Sequence, residues 1–398
     1  MKALLLENIH SLARTGFERA GYEVRTEKGS MDEESLIAAL EGVNLLGIRS
    51  RTLLTPRVFA SAALSAVGTY CIGTNQVDLL AASHRGVAVF NAPYSNTRSV
   101  AELVIAEIII LIRRLYDKIA RAHDGVWDKS ADRAREVRGK CLGIVGFGNI
   151  GSQVSTLAEA MGMDVFYYDV ADKLTIGNAT RVDTLAELLE KVDVVTIHVD
   201  GSPANANLID QREFAQMKPG VLLLNLSRGH VVNIEALASN LRSGKVAGAA
   251  VDVFPEEPQD GSQPFVSPLQ GLPNVLLTPH IGGSTEEAQE NIATFVTQKL
   301  LEYETTGSTF TSVNFPRIIL PPPDRTPARR LLHVHQNVPG VLSRINGIFA
   351  QNNVNVLSQF LRTNETIGYA VADVDAKYKD SLFDDLQNVP HTIRVRIL

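Results

Sequence analysis

Up to about residue 91, short apolar runs alternate with amphipathic stretches. The runs "KALLLE", "YEVRT", "NLLGIR", "LSAVGTY" and "VAVFNA" predict strands. "SLARTGFERA", "ESLIAAL", "PRVFASAA" and "VDLLAASHRG" predict helices between them. This alternation predicts a parallel sheet with helices on both faces. One long helix is expected over about 97–122, centred on "VAELVIAEIIILI". The pattern then restarts with "CLGIVG", "DVFYYD", "VDVVTIHV", "GVLLLNLS", "VAGAAVDVF" and "NVLLTPH", near-continuous apolar runs that suit parallel strands buried on both faces. A second doubly wound α/β domain is therefore expected over 96–282. "TEEAQENIATFVTQKLLEYETTG" predicts one more amphipathic helix, and five prolines in "FPRIILPPPDRTPARR" mark a linker over 316–328. Residues 329–398 then read as strand, helix, two strands, helix, strand, which is the βαββαβ ferredoxin-like order.

Composition narrows the function classes. The chain has 398 residues, 45% of them hydrophobic and 21% charged, as in ordinary soluble globular proteins. A net charge of -6 argues against nucleic-acid and anionic-membrane partners, which favour basic faces. Residues 100–112 carry Glu102 and Glu107 and are too short to span a bilayer. Two cysteines, Cys71 and Cys141, cannot form a disulfide framework. A cytoplasmic protein is expected.

The glycines of "CLGIVGFGNIG" fall in the spacing Gly146-x-Gly148-x-x-Gly151, after an apolar strand and before a helix. They permit a tight turn, close backbone approach to a pyrophosphate, and close helix–strand packing. Asp169 ends the next strand, eighteen residues after Gly151. A carboxylate there accepts hydrogen bonds from ribose hydroxyls and repels a 2′-phosphate, so NAD is expected rather than NADP.

Three further strands end in chemistry-bearing residues: Ser227-Arg228-Gly229 in "LLLNLSRGHVV", Glu256 and Glu257 in "AAVDVFPEEP", and His280 in "VLLTPHIGGS". Strand carboxyl ends are where α/β folds place ligands. Hydride transfer at a secondary alcohol needs a proton acceptor and a cation for the substrate's polar head, and this set could supply both. "LLGIRSRT" also ends a strand, on Arg49, Ser50 and Arg51, which suit either a solvated loop or a site for phosphate or carboxylate oxygens.

The glycine turn, "SRG", "DVF-x-x-EP" and "PHIGG", in this order, resemble the signatures of the D-isomer-specific 2-hydroxyacid dehydrogenase family, here with a C-terminal ACT regulatory domain. The resemblance covers essentially the whole chain. It implies a flavodoxin-like substrate-binding domain over 1–95 and 283–315, a Rossmann NAD-binding domain over 96–282, and an ACT domain over 329–398. Crossing helices between the first two would hinge a closing cleft. By the same resemblance His280 is the acid/base, Glu257 its partner, and Arg228 the holder of the substrate carboxylate. Asn149, Ile150, Leu226, Ser227, Asp252, Gly282 and Gly283 join Gly146, Gly148, Gly151 and Asp169 around NAD. Asp252 is implied near the nicotinamide carboxamide, and the two glycines of "IGG" are expected to let a ligand come close.

The resemblance also makes Arg49, Ser50 and Arg51 the seat of a substrate phosphate, with Gly73, Thr74 and Asn75 of "CIGTN" on the carboxylate side. The implied activity is oxidation of 3-phospho-D-glycerate in L-serine biosynthesis, without a metal. His335, Asn337 and Asn355 match effector positions for L-serine between paired domains of a homo-oligomer, a tetramer being favoured, and Trp127 is implied at a subunit contact. A hydroxypyruvate or glyoxylate reductase, a non-catalytic NADH-sensing regulator and an amino-acid-binding regulator whose dehydrogenase has decayed are the rival readings. The residues leave open whether 2-oxoglutarate is also reduced.

Overall fold

A computed structural model describes all residues of the chain except 176, 259–262, 323–327 and 376–380. The chain divides into two compact units, Met1–Ser95 with Gln289–Leu398, and Asn96–Ala288.

In the first unit, strands β1 (Lys2–Leu5), β2 (Glu23–Thr26), β3 (Leu45–Ile48), β4 (Ala66–Thr69) and β5 (Ala88–Phe90) form a parallel sheet in the order β2-β1-β3-β4-β5. This is a doubly wound order, so ligand chemistry belongs at the strands' carboxyl ends. The helices between the strands are short and capped by side chains. Asp32, Thr55 and Asp78 each accept from an amide three residues on, the usual remedy for orphan helix donors.

The second unit carries β6 (Cys141–Val145), β7 (Asp164–Tyr168), β8 (Thr180–Arg181), β9 (Val194–Ile197), β10 (Val221–Asn225), β11 (Val246–Val251) and β12 (Val275–Leu277). All pair in parallel, in the order β12-β11-β10-β9-β6-β7-β8. The chain's direction across the sheet reverses between β6 and β9, the switch point where dinucleotides bind. The two-residue β8 was not foreseen; it is too short for a periodicity signal. The helix expected over 97–122 is two helices, Thr97–Arg113 and Leu115–His123. Arg114 breaks it in the left-handed region, φ 51° and ψ 39°. The second helix buries none of its residues, so core packing does not hold it in line with the first.

The tail strands β13 (Ala328–Gln336), β14 (Val356–Thr363), β15 (Ile367–Asp375) and β16 (Thr392–Ile397) form an antiparallel sheet in the order β14-β15-β13-β16, as the βαββαβ pattern requires. One face covers the tail's own helices through Leu331, Ala370, Ala372 and Val374. The other, with Leu332, Val334, Tyr369 and Val371, shares a core with Tyr70, Phe90, Tyr303 and Phe315 of the rest of the first unit. Arg330 is buried against this junction. Its guanidinium donates twice to Asp373, at 2.6 and 2.7 Å, and to the carbonyls of Thr306 and Pro321 at 2.9 and 2.7 Å. Tyr369 Oη donates to the Gly307 carbonyl at 2.7 Å. The proline-rich stretch read as a linker is therefore packed where it is described: Ile318 and Leu320 are buried, and Thr309 Oγ1 donates to the Pro316 carbonyl and accepts from the Ile318 amide. Residues 323–327 of that stretch lie outside the described residues.

Candidate active site

The three glycines after β6 do three different things. Gly146 has φ +94°, and a Cβ there would meet the His198 carbonyl oxygen at 2.7 Å. A Cβ on Gly151 would lie 2.3 Å from the Gly146 carbonyl oxygen, so helix and turn touch only because it is absent. Gly148 faces open space, with nothing within 4 Å of a Cβ. It precedes the helix Asn149–Ala160, whose start carries no side-chain cap, leaving the amides of Asn149 and Ile150 in an uncapped first turn beneath that space. An uncapped first turn under an open glycine fits a pyrophosphate. Asp169 accepts from the amides of Phe147 and Ala171, both at 2.8 Å, which fixes its carboxylate beside the turn. Arg181 of neighbouring β8 pairs instead with Asp172, at 3.2 Å. These residues fit NAD.

At the ends of β10, β11 and β12 the remaining groups converge. His280 Nδ1 lies 2.8 Å from Glu257 Oε2, and Glu257 Oε1 accepts from the Phe254 amide at 3.0 Å. The hydrogen bond that His280 donates to Glu257 raises the His280 pKa against an opposing burial effect. Burial works to raise the Glu257 carboxyl, but the His280 hydrogen bond, the Phe254 amide and the charges of His280 and Arg228 hold it below its usual value. His280 also has φ +54°, a left-handed conformation rare outside glycine and asparagine. Asp252 supplies the surroundings that hold it. Its buried carboxylate accepts from Thr278 Oγ1 at 2.6 Å and from the amides of Ile281 and Gly282 at 2.8 Å each.

The Asp252 carboxylate thus braces the His280 loop, and the missing Cβ atoms of the two glycines after His280 are matched by close protein neighbours. A Cβ on Gly282 would meet Asp252 at 3.0 Å and Val100 at 3.4 Å, and one on Gly283 would meet Asn96 at 2.1 Å. Leu226, expected around NAD, packs in the core with Leu224 and Ala250.

Arg228 reaches this site through a turn that the sequence reading did not credit to Asn225. The buried Asn225 Oδ1 accepts from the amide and hydroxyl of Ser227, and its Nδ2 donates to the Arg228 carbonyl at 3.1 Å. Gly229 lets this turn dock on the Glu257 loop, since a Cβ would lie 2.0 Å from the Phe254 carbonyl carbon. A buried Asn closing the apolar run "LLLN" was the available signal. Glu107 was also missed. Its carboxyl is buried in the helix Thr97–Arg113 without a hydrogen bond, and burial, then the Asp252 charge, pushes its pKa up to about 8.

In the first unit, Arg49, Ser50 and Arg51 follow β3. The Glu7 carboxylate accepts from the amides of Arg51 and Thr52, both at 2.9 Å, and shapes the loop. Gln76, also missed, donates from Nε2 to the Arg49 carbonyl at 2.5 Å and to the Gly73 carbonyl at 3.4 Å, tying the arginine loop to "CIGTN". Thr74 accepts from the Val77 amide, Asn75 is exposed, and Gly73 faces open space. Among the described residues neither Arg49 nor Arg51 forms an ion pair.

In the tail, His335 is buried on β13, and the exposed Asn337 donates to the Asn364 carbonyl at 2.8 Å. Asn355 does not join them. His335 pairs with Gly368 of β15, whereas Asn355 accepts from the amide of Asp375 at the other end of that strand. Seven residues along a strand separate Gly368 from Asp375, about 23 Å.

Comparison with known proteins identifies the family. Residues 105–282 match the family model of the D-isomer specific 2-hydroxyacid dehydrogenase NAD binding domain, and residues 331–394 match an AHAS small subunit-like ACT domain. The chain belongs to the D-isomer-specific 2-hydroxyacid dehydrogenase family and is an NAD-dependent dehydrogenase of that class. It is 49% identical to the D-3-phosphoglycerate dehydrogenase of Haemophilus influenzae over 400 residues, covering 100% of this chain and 97% of that one. It is likewise 49% identical to the D-3-phosphoglycerate dehydrogenase of Escherichia coli K12, with the same coverage. Among solved structures, a D-lactate dehydrogenase from Sporolactobacillus sp. matches with a TM-score of 0.67 and 31% identity, over 79% of this chain and 99% of that one. No helix among the described residues is long and apolar enough to cross a membrane.

Proposed function

We propose that the protein oxidises 3-phospho-D-glycerate to 3-phosphohydroxypyruvate, as the first step of the phosphorylated route to L-serine in the cytoplasm, and that L-serine restrains it through the tail. The observation that carries the substrate is the Arg49–Arg51 loop. Two guanidinium groups without an ion pair among the described residues, beside a hydroxyl, suit a phosphate better than any unphosphorylated acid. The names of the relatives point the same way.

Glu257 occupies His280 Nδ1, so Nε2 is the nitrogen free to take the substrate's hydroxyl proton. The Glu257 carboxylate stabilises the imidazolium that results, and Arg228 holds the substrate carboxylate. Bound NAD supplies the hydride acceptor. Residues 1–95 and 283–315 serve as the substrate domain, 96–282 as the NAD domain and 329–398 as the regulatory domain. His335 and Asn337 of one chain with Asn355 of a second form the effector site, which fits the separation of Asn355 from the other two within one chain. Trp127, 81% exposed, fits a further subunit contact in a homotetramer.

The test is Arg51→Ala, assayed with 3-phosphohydroxypyruvate and with hydroxypyruvate. A charge-assisted contact is worth about 1.5–3 kcal/mol, so kcat/KM for the phosphorylated substrate should fall roughly 10- to 150-fold while hydroxypyruvate is little changed. Equal losses on both would sink the phosphate assignment.

A further inference from the structure

We infer that His333 and Thr392 fix the proton of His335, so that its Nε2 is an obligate acceptor and the tail's ligand must present an N–H or O–H donor to it. This deepens the effector reading above and rests on it. The inference comes from the direction of one hydrogen-bond chain. Leu386 contributes a carbonyl oxygen, which can only accept. Thr392 Oγ1 lies 3.3 Å from that oxygen and donates to it. His333 Nε2 lies 3.0 Å from Thr392 Oγ1 and 3.3 Å from the same carbonyl, so Nε2 carries a proton.

A neutral imidazole with its proton on Nε2 has a bare Nδ1. That Nδ1 stands 3.3 Å from Nδ1 of His335, so the proton between them belongs to His335. His335 Nε2 is left with a lone pair and no proton. Both rings are buried and neutral: burial pushes His333 down to about 4, and burial likewise lowers His335.

The ring rests with its Nε2 edge over the neighbouring strand. Gly368 is the β15 residue paired with His335, and a Cβ there would stand 2.2 Å from Nε2, so only a glycine admits the ring in this position. An acceptor of fixed polarity distinguishes ligands. An ammonium or hydroxyl is received, whereas a carboxylate or a bare ether oxygen meets a lone pair. His333 and Thr392 thus act as positioning residues, with no contact to the ligand themselves.

The test combines spectroscopy and inhibition on the full-length enzyme. Sedimented protein labelled with ¹⁵N-histidine, examined by magic-angle-spinning NMR at pH 7.5, should show His335 protonated at Nδ1 and bare at Nε2. His333→Phe and Thr392→Val should leave kcat and KM for 3-phosphohydroxypyruvate unchanged. They should raise the L-serine concentration for half-inhibition, by about tenfold and about threefold respectively. In His333→Phe the Nε2–H form of His335 should also appear in the spectrum. A parent enzyme with His335 protonated at Nε2 overturns the inference, as does unaltered serine inhibition in His333→Phe. A parent enzyme that neither binds nor responds to L-serine removes the effector reading instead, while the spectrum still decides the chain's direction.

Discussion

The same side chain is tuned in opposite directions at two places in this molecule. His280 sits beside a carboxylate, with its side chain half exposed, and is pushed toward the charged form. His333 and His335 sit among carbonyl, hydroxyl and each other, and are held neutral. The first arrangement suits a group that must take and return a proton. The second suits one that must keep a single hydrogen-bonding polarity. The difference lies in the partner offered to Nδ1, a carboxylate in one case and another imidazole in the other.

The comparison breaks most severely at His280. His280→Asn keeps a polar group but removes the proton acceptor, and kcat should fall by about 10²–10⁴. Steady-state oxidation rates check this, and a variant retaining most of its turnover would remove His280 from the acid/base role. The neutral pair can be probed through stability. A histidine near 6.5 in the unfolded chain and about 4 in the folded one makes the folded state lose ground as pH drops from 6.5 to 4. The loss should reach about 3 kcal/mol, and His333→Gln should flatten the decline of Tm over that window. An unchanged Tm–pH slope would mean that His333 is not held neutral. The smallest effect sharpens the other side. Glu257→Gln removes one charge-assisted hydrogen bond, worth about 1.5–3 kcal/mol, so kcat should drop roughly 10- to 150-fold. Because Glu257 raises the His280 pKa, its loss should also move the acid limb of the oxidation profile to lower pH. A limb that stays in place would assign it to another group.

The strand–helix alternation, the glycine turn and the βαββαβ tail were legible in the sequence because burial on one or both faces imposes a period on apolar residues. The break at Arg114 was not, since a left-handed arginine inside a helical pattern leaves no compositional mark. At the site, Arg228, Glu257 and His280 were singled out because they follow strands within stretches that resemble the family's signatures. The residues that shape the supporting turns were harder. Asn225 beside Arg228, and Gln76 beside Arg49, work through backbone carbonyls and amides of neighbouring turns, pairings that only the folded chain creates. At Gly282 and Gly283 the sequence shows that a Cβ is missing but not that Asp252, Val100 and Asn96 stand where it would be.

The core shared by the tail and the first sheet bears on how the protein would behave in a test tube. A chain cut at the proline-rich stretch would leave Tyr303, Phe315 and the carbonyls of Thr306 and Gly307 without Leu332, Val334, Tyr369 and Arg330. Such a fragment would present a greasy, polar-unsatisfied face to solvent, with aggregation as the natural result. Limited proteolysis should accordingly yield nicked but associated protein rather than a soluble catalytic piece. Point substitutions such as His333→Phe are therefore a cleaner way to weaken the tail's response than its removal.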